Sequence, residues 1–153
     1  ITPNVDTKCP GYKFVGWDSE VPSTMPAKNL SFTAKFELSF KMSIRKPSTT
    51  TISYGDSIIL HADMNEALPS GWKIKWTADN GNFSYSENGE TCTISPNKSG
   101  DTTFTATVYD ENGNEISKDT QTMKSKAGFF DKFAAFFRKL FGMTKIIQQS
   151  INF

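Results

Sequence analysis

Along the middle of this sequence, apolar and polar side chains alternate. The even positions are apolar in residues 57–64, 72–78 and 104–108, and the odd positions between them are mostly polar or charged. Successive side chains of a β-strand point to opposite faces of its sheet. A period of two therefore predicts strands that are buried on one face and solvated on the other.

Turn-forming residues separate these runs. The turn signals lie at 54–56, 69–71, 79–81, 87–89, 99–101 and 112–114, and each includes a glycine. Asn-Gly pairs supply the positive φ angles of tight hairpins. Seven short strands with this spacing predict a two-sheet β-sandwich, with an optional eighth at 82–86. The predicted strands are 38–46, 50–54, 57–64, 72–78, 90–95, 102–110 and 114–123.

The alternation also predicts which side chains form the core. Trp76 is expected to be its largest member, because full burial of a Trp or Phe side chain contributes about 2–3 kcal/mol. The complete predicted inward set is Phe40, Met42, Ile44, Ile52, Ile58, Leu60, Ala62, Ile74, Trp76, Cys92, Ile94, Phe104, Ala106 and Val108.

A second alternating stretch joins the first part of the chain to the sandwich. Every even residue from Leu30 to Ile44 is apolar, and neither Gly nor Pro interrupts the stretch. Fifteen residues exceed the usual strand length of about five or six. We therefore predict that two strands share this stretch, with a stiff joint near Glu37.

Residues 125–153 have a different pattern, typical of an amphipathic helix. Between Gly128 and Gly142 the apolar residues recur at helical spacing, and Gly142 stands where a helix C-cap is expected. Six basic residues and one acidic residue lie between Lys124 and Lys145. A basic amphipathic helix favours anionic lipid. The candidate membrane or partner contacts are Phe129, Phe133, Phe136, Phe137, Leu140, Phe141, Lys132, Arg138 and Lys139. The alternative is that this face packs on the first segment or on a neighbouring copy.

Composition excludes several classes of function. With 17 basic and 16 acidic residues the net charge is +1, which gives no reason to expect a nucleic-acid partner. Two cysteines are too few for a disulfide scaffold, and free buried thiols are the preferred interpretation over a Cys9–Cys92 bridge. The sequence shows no export signal and no 18-residue apolar stretch.

No catalytic or metal site is expected. His61 falls on an outward strand position without a second His, so a solvated surface side chain is predicted. Cys92 falls on an inward position, which predicts an inert core thiol. Residues 110–115 lack the spacing of a calcium loop and are predicted to form a hairpin turn. Trp17, Tyr85 and Tyr109 are candidates for a sugar-stacking platform, with burial of Trp17 as the alternative. No cofactor is expected.

The first segment resembles a Listeria–Bacteroides repeat, the internalin B-type repeat. The similarity lies in the GYKFVGW string of residues 11–17, the VPSTMPA string of 21–27 and the alternating strand that ends in Thr33-Ala34-Lys35-Phe36. Only the second half of the repeat is matched, and Phe36 stands where Trp is common. The missing half leaves Tyr12, Phe14, Trp17 or Phe32 without a partner strand, which makes a dimer one way to cover them.

The middle segment resembles bacterial Ig-like domains from Tyr54 to Asn114, without the antibody-type disulfide. The tail resembles Phe-rich C-terminal segments of secreted Firmicutes surface proteins. These resemblances imply an all-β chain in three parts. The parts are a partial repeat (1–37), an Ig-like sandwich of about seven strands (38–124) and a C-terminal amphipathic α-helix (125–153).

The function that the resemblances imply is that of a non-catalytic module on a bacterial cell surface or in a secreted protein. It would act as a spacer, or bind a host or cell-wall protein or glycan. The alternative is the C-terminal accessory region of a secreted hydrolase, with a carbohydrate- or wall-binding role.

Overall fold

The computed structural model describes residues 9–24 and 27–126, together with Phe133, Phe136, Phe137 and Lys139. Ten β-strands account for most of these residues, which confirms the predicted all-β class. Their bounds are β1 Tyr12–Trp17, β2 Ala34–Leu38, β3 Met42–Ile44, β4 Thr51–Ser53, β5 Ile58–Met64, β6 Lys73–Ala78, β7 Phe83–Asn88, β8 Thr91–Pro96, β9 Gly100–Tyr109 and β10 Glu115–Lys126.

Eight of the strands form the predicted sandwich, in two four-stranded sheets. One sheet has the order β3-β5-β8-β7 and the other the order β4-β10-β9-β6. The pairing is antiparallel except between β4 and β10, which are parallel. If β3 and β4 are counted as one first strand divided between the sheets, this order is that of the immunoglobulin fold. The eighth strand is β7, at the place of the optional strand 82–86.

The core lies between the two sheets and has the predicted composition, except that two predicted members are not fully buried and two other residues are buried. Ile58 and Ile74 are only half-buried, whereas Phe83 and Met123 are buried although they were not predicted to be. Phe83 belongs to the optional strand, and Met123 is the last residue of the strand predicted at 114–123. Trp76 is 1% exposed, and its indole Nε1 donates to the Gly89 carbonyl at 3.1 Å.

The stretch from Leu30 to Ile44 contains two strands, as predicted. β2 ends at Leu38 and β3 begins at Met42, so that three residues separate the first segment from the sandwich. At the other end the last strand is longer than expected. β10 continues to Lys126, past the predicted start of the tail, because Ser125 is buried and Lys126 pairs with Ser53 of β4.

The first segment is a two-stranded antiparallel hairpin of β1 and β2. The register shifts between Phe14 and Gly16, where Gly16 has φ +139°. A β-bulge of this kind turns the following side chain to the other face. Here the bulge places Trp17 opposite Ala34, on the face that Tyr12 and Phe14 already occupy.

The predicted tail helix lies mostly outside the described residues. Four of its members are described, and Phe133, Phe136, Phe137 and Lys139 all have helical backbone conformation. The extent of a helix from 128 to 142 stays a prediction, and so do its other candidate contacts, Phe129, Lys132, Arg138, Leu140 and Phe141.

Candidate interaction surfaces

The hairpin is joined to the sandwich through Trp72, which lies just before β6. The ring of Trp72 makes edge-on contacts with Tyr12 of the hairpin at 6.3 Å and with the buried Phe40 at 5.3 Å. The carbonyl of Gly11 accepts the backbone amides of Ser39 at 3.0 Å and Phe40 at 3.1 Å. Neither Gly11 nor Trp72 was predicted to have this role, because alternation within a strand carries no information about contacts between segments.

One face of the hairpin is aromatic. Phe14 contacts Trp17 at 5.4 Å and Phe36 at 5.7 Å, and Trp17 contacts Phe32 at 6.4 Å, all in tilted or edge-on geometry. These four side chains, which we call the aromatic face, are half-buried, as expected for a sheet of two strands.

The far end of the hairpin is closed by Asp18. Its backbone amide donates to the Thr33 carbonyl at 2.9 Å, and its carboxylate accepts the Thr33 amide at 3.0 Å. The bond from the Thr33 amide holds the pKa of Asp18 below its ordinary value of 3.8. These two bonds fix the hairpin at the end where Trp17 and Phe32 meet.

The hairpin and the end of β10 lie at opposite ends of the sandwich. Trp72 precedes Lys73, which pairs with Tyr109, and Tyr109 in turn pairs with Glu115 at the start of β10. β10 then runs for 12 residues to Lys126. At about 3.3 Å per residue this separates the two ends by roughly 35 Å.

The two cysteines and His61 differ in burial. Cys92 is fully buried, and burial raises its pKa to about 12, as an inert core thiol requires. The prediction that both thiols are buried is wrong for Cys9, which is exposed in a short bridge beside Tyr12. His61 is half-buried rather than fully solvated, because its strand, β5, is paired on both sides.

Residues 110–114 form the predicted hairpin turn. The Asp110 carboxylate accepts the backbone amides of Asn112 at 2.9 Å and Asn114 at 2.7 Å, and also the Asn114 side-chain amide at 2.8 Å. These bonds lower the pKa of Asp110, the one from the Asn114 side chain most of all. A carboxylate bonded in this way closes a turn.

The proposed sugar-stacking residues lie on three separate elements. Trp17 is part of the aromatic face, Tyr85 packs against Phe104 at 6.1 Å, and Tyr109 ends β9. The tail candidates described are more exposed. Phe133 and Phe136 are 54% and 59% exposed, and Phe136 meets Phe137 edge-on at 5.7 Å.

Within residues 9–24, 27–126 and the four tail residues, no group of three or more His, Cys, Asp or Glu side chains is placed to hold a metal ion. In the same residues, no helix has both the length and the hydropathy needed to cross a bilayer.

Comparison with known proteins gives structural similarities alone. No family model matches the chain, and no curated protein is significantly similar to it. Among solved structures, the PKD domain of human KIAA0319 is similar, with 19% sequence identity and a TM-score of 0.41. The similarity covers 58% of this chain and 82% of that domain.

Proposed function

We propose that this chain is a non-catalytic spacer module of an extracellular or cell-surface protein. The observation that carries the proposal is the placement of Cys9 and Lys126. Cys9 lies beside Tyr12 at the start of the hairpin, β10 ends at Lys126, and the sandwich lies between these two points. A module with this geometry separates these two points of the chain by roughly 35 Å.

The joint at Trp72 favours a stiff spacer over a flexible one. Two backbone hydrogen bonds to Gly11 and two ring contacts to Trp72 connect the hairpin to the sandwich across only three linking residues. A flexible connection would instead need a longer stretch rich in Gly or Ser. The resemblance of residues 11–36 to a surface-protein repeat agrees with this role.

Distance measurements between spin labels test the stiffness. Ser19→Cys in the hairpin and Lys126→Cys at the end of β10 provide two exposed labelling sites in a Cys9→Ser background. The proposal predicts one narrow distance distribution, which broadens when Trp72→Ala removes the ring between hairpin and sandwich. The matched control is Trp17→Ala, which removes a ring from the aromatic face and leaves the joint intact. A broad distribution in the parent protein would contradict a stiff spacer.

A binding role is the second candidate, and the aromatic face favours it. Its four half-buried rings would suit a host or cell-wall protein or glycan, either in a surface protein or in the accessory region of a secreted hydrolase. Sedimentation with insoluble cell-wall material tests the wall ligands. Binding is expected to fall with Trp17→Ala and to persist with Tyr85→Ala, an exposed aromatic elsewhere. Equal binding by both variants would exclude the aromatic face as the site.

The tail adds a proposed contact with anionic membrane. Its basic residues and the exposure of Phe136 on helical backbone support this contact. The full chain is expected to sediment with vesicles containing phosphatidylserine and not with phosphatidylcholine vesicles. Arg138→Glu with Lys139→Glu should abolish sedimentation, while Lys73→Glu with Lys75→Glu, exposed on β6, should not. Equal behaviour of the two double variants would rule out this surface.

A further inference from the structure

Open sheet edges are the surfaces at which one β-protein adds to another, because an edge strand presents unpaired backbone amides and carbonyls. The sandwich has four such edges, namely β3 and β7 in one sheet and β4 and β6 in the other. These edges differ in whether side chains occupy their backbone groups.

The β3 edge is occupied by side chains from the opposite sheet. The amide of Met42 donates to the Ser117 hydroxyl at 3.2 Å, and the amide of Ile44 donates to the Asp119 carboxylate at 2.8 Å. Both acceptors belong to β10. Because β3 has only three residues, these bonds take up the amides at both of its ends.

Side chains also bond to backbone groups of the β4 and β6 edges, and β6 contains Lys73 and Lys75 as well. The Thr49 hydroxyl accepts the amide of Thr51 at 3.2 Å and donates to the carbonyl of the same residue at 3.0 Å. At β6, the amide of Trp76 donates to the Glu87 carboxylate at 2.7 Å. An incoming strand would have to break these bonds to pair with either edge.

The hairpin edges carry other obstacles. β1 contains the bulge between Phe14 and Gly16 as well as Lys13, and β2 contains Lys35 and Glu37. Bulges and charged side chains, Lys above all, are the features by which natural edge strands discourage pairing.

β7 is different from all of these strands. It is six residues long, pairs with β8 without a register shift, and contains neither Lys nor Pro. Its five residues from Ser84 to Asn88 are all exposed. The carbonyl of Asn82, just before β7, points to the side of β8 and accepts the amides of Asn97 and Lys98, which follow β8. Because the N–H and C=O groups of successive residues in a strand point to opposite edges, those of Phe83, Tyr85 and Glu87 point away from β8. Within the described residues, no side chain occupies them.

We propose that β7 is an association edge at which a second copy of this chain adds its own β7 in antiparallel orientation. The two copies are related by a two-fold axis at Tyr85, so that Ser84 of each copy faces Ser86 of the other and Phe83 faces Glu87. The result is one continuous eight-stranded sheet across the dimer. This inference goes beyond the spacer function and does not depend on it.

Charge and competition both favour a second copy as the occupant. Glu87 is the one charged residue of β7, and its carboxylate is already bonded to the Trp76 amide. In the two-fold register no like charges face each other, which would otherwise destabilise a cross-strand pair. Among the strand edges described, β7 is the one whose outward backbone groups are not bonded to a side chain and that has no bulge and no Lys. A second copy of the chain presents the same open edge, so the two edges can pair with each other.

Sedimentation equilibrium of the full chain tests the proposal. Two six-residue strands form an interface below about 1,200 Å², which is the size of a weak, transient contact. We therefore expect a monomer–dimer equilibrium between about 10 μM and 1 mM. A chain that stays monomeric over this range would overturn the proposal.

Two variants identify the edge and its register. Ser84→Lys with Ser86→Lys places like charges opposite each other at both cross-strand positions and should weaken the dimer about tenfold. Ser84→Lys with Ser86→Glu places opposite charges at the same positions and should dimerise at least as well as the parent. Thr120→Lys with Thr122→Lys, on β10, adds the same charge away from the edge and serves as the control. Equal dimerisation of the Lys–Lys variant and this control would overturn the assignment of the interface to β7. Association through the tail would give that result.

Discussion

Gly11 lies directly against the ring of Trp72, and no larger residue fits there. A Cβ added to Gly11 would stand 2.5 Å from Cη2 of Trp72. Gly11 also has φ +80°, a conformation that costs other residues roughly 1–2 kcal/mol. Sterics and backbone conformation thus both require glycine where the hairpin meets the sandwich.

Gly11→Ala is therefore expected to detach the hairpin while the sandwich stays folded. The ring contacts between Tyr12 and Trp72 and the bonds from Ser39 and Phe40 should be lost together, because all of them depend on the same close approach. Hydrogen exchange measures this directly. The amides of Ser39 and Phe40 should lose protection, and those of β9 should keep it.

Gly113→Ala is the matched control for this substitution. Gly113 has φ +84°, so alanine meets a similar backbone penalty, but nothing lies within 4 Å of the added Cβ. It should lower stability slightly and leave hairpin protection unchanged. If Gly11→Ala behaves like Gly113→Ala, the contact with Trp72 does not hold the hairpin.

Glu87 bridges the two sheets at the edge opposite β3 and β4. Its carboxylate accepts the Trp76 amide in a partly buried position. Glu87→Ala should lower the free energy of unfolding by about 1–3 kcal/mol, because it removes the carboxylate and leaves the Trp76 amide without this charge-assisted hydrogen bond. Glu87→Gln keeps an acceptor and should lose less. Urea denaturation measures both, with Glu90→Ala, exposed in the adjacent turn, as the control. A loss for Glu90→Ala as large as that for Glu87→Ala would contradict the bridging role.

The sandwich could be predicted from sequence because its signal is local. Each strand contains its own alternation, and each turn contains its own glycine, so strands such as β5, β6 and β9 lie close to where they were expected. The same reasoning explains why twelve of the fourteen predicted inward residues are buried, all but Ile58 and Ile74. An alternation of period two can be recognised within one strand, without information on which strands are its neighbours.

The contacts that form the candidate surfaces are not local, and sequence alone did not predict them. Trp72 meets Tyr12 across 60 positions, and the caps on β3 come from residues 75 positions away. The bulge at Gly16 reverses the alternation, so that Trp17, at an odd position, joins a face of even-numbered residues. None of these relationships leaves a periodic trace in the sequence.

The two thiols should differ in reactivity. Burial, with a smaller contribution from the charge of Glu87, raises the pKa of Cys92 to about 12, and Cys92 has no exposed surface. Cys9 is exposed. At pH 8 a thiol reagent such as DTNB should label one cysteine per native chain and two in urea. Cys9→Ser should reduce the native count to zero, whereas rapid native labelling of that variant would contradict the burial of Cys92.

Stability should fall in acid partly through the turn at Asp110. The hydrogen bonds from Asn114, Asn112 and Gly113 favour the charged carboxylate and hold its pKa below the ordinary value of 3.8. A group whose pKa is lower in the folded state stabilises the fold above its unfolded pKa, and this contribution is lost as the pH falls through the folded value. Asp110→Asn removes the titrating group, so the stability difference between parent and variant should be constant near neutral pH and shrink below about pH 4.

Urea denaturation at a series of pH values measures this difference. A difference for Asp110→Asn that is independent of pH would contradict the role of the carboxylate.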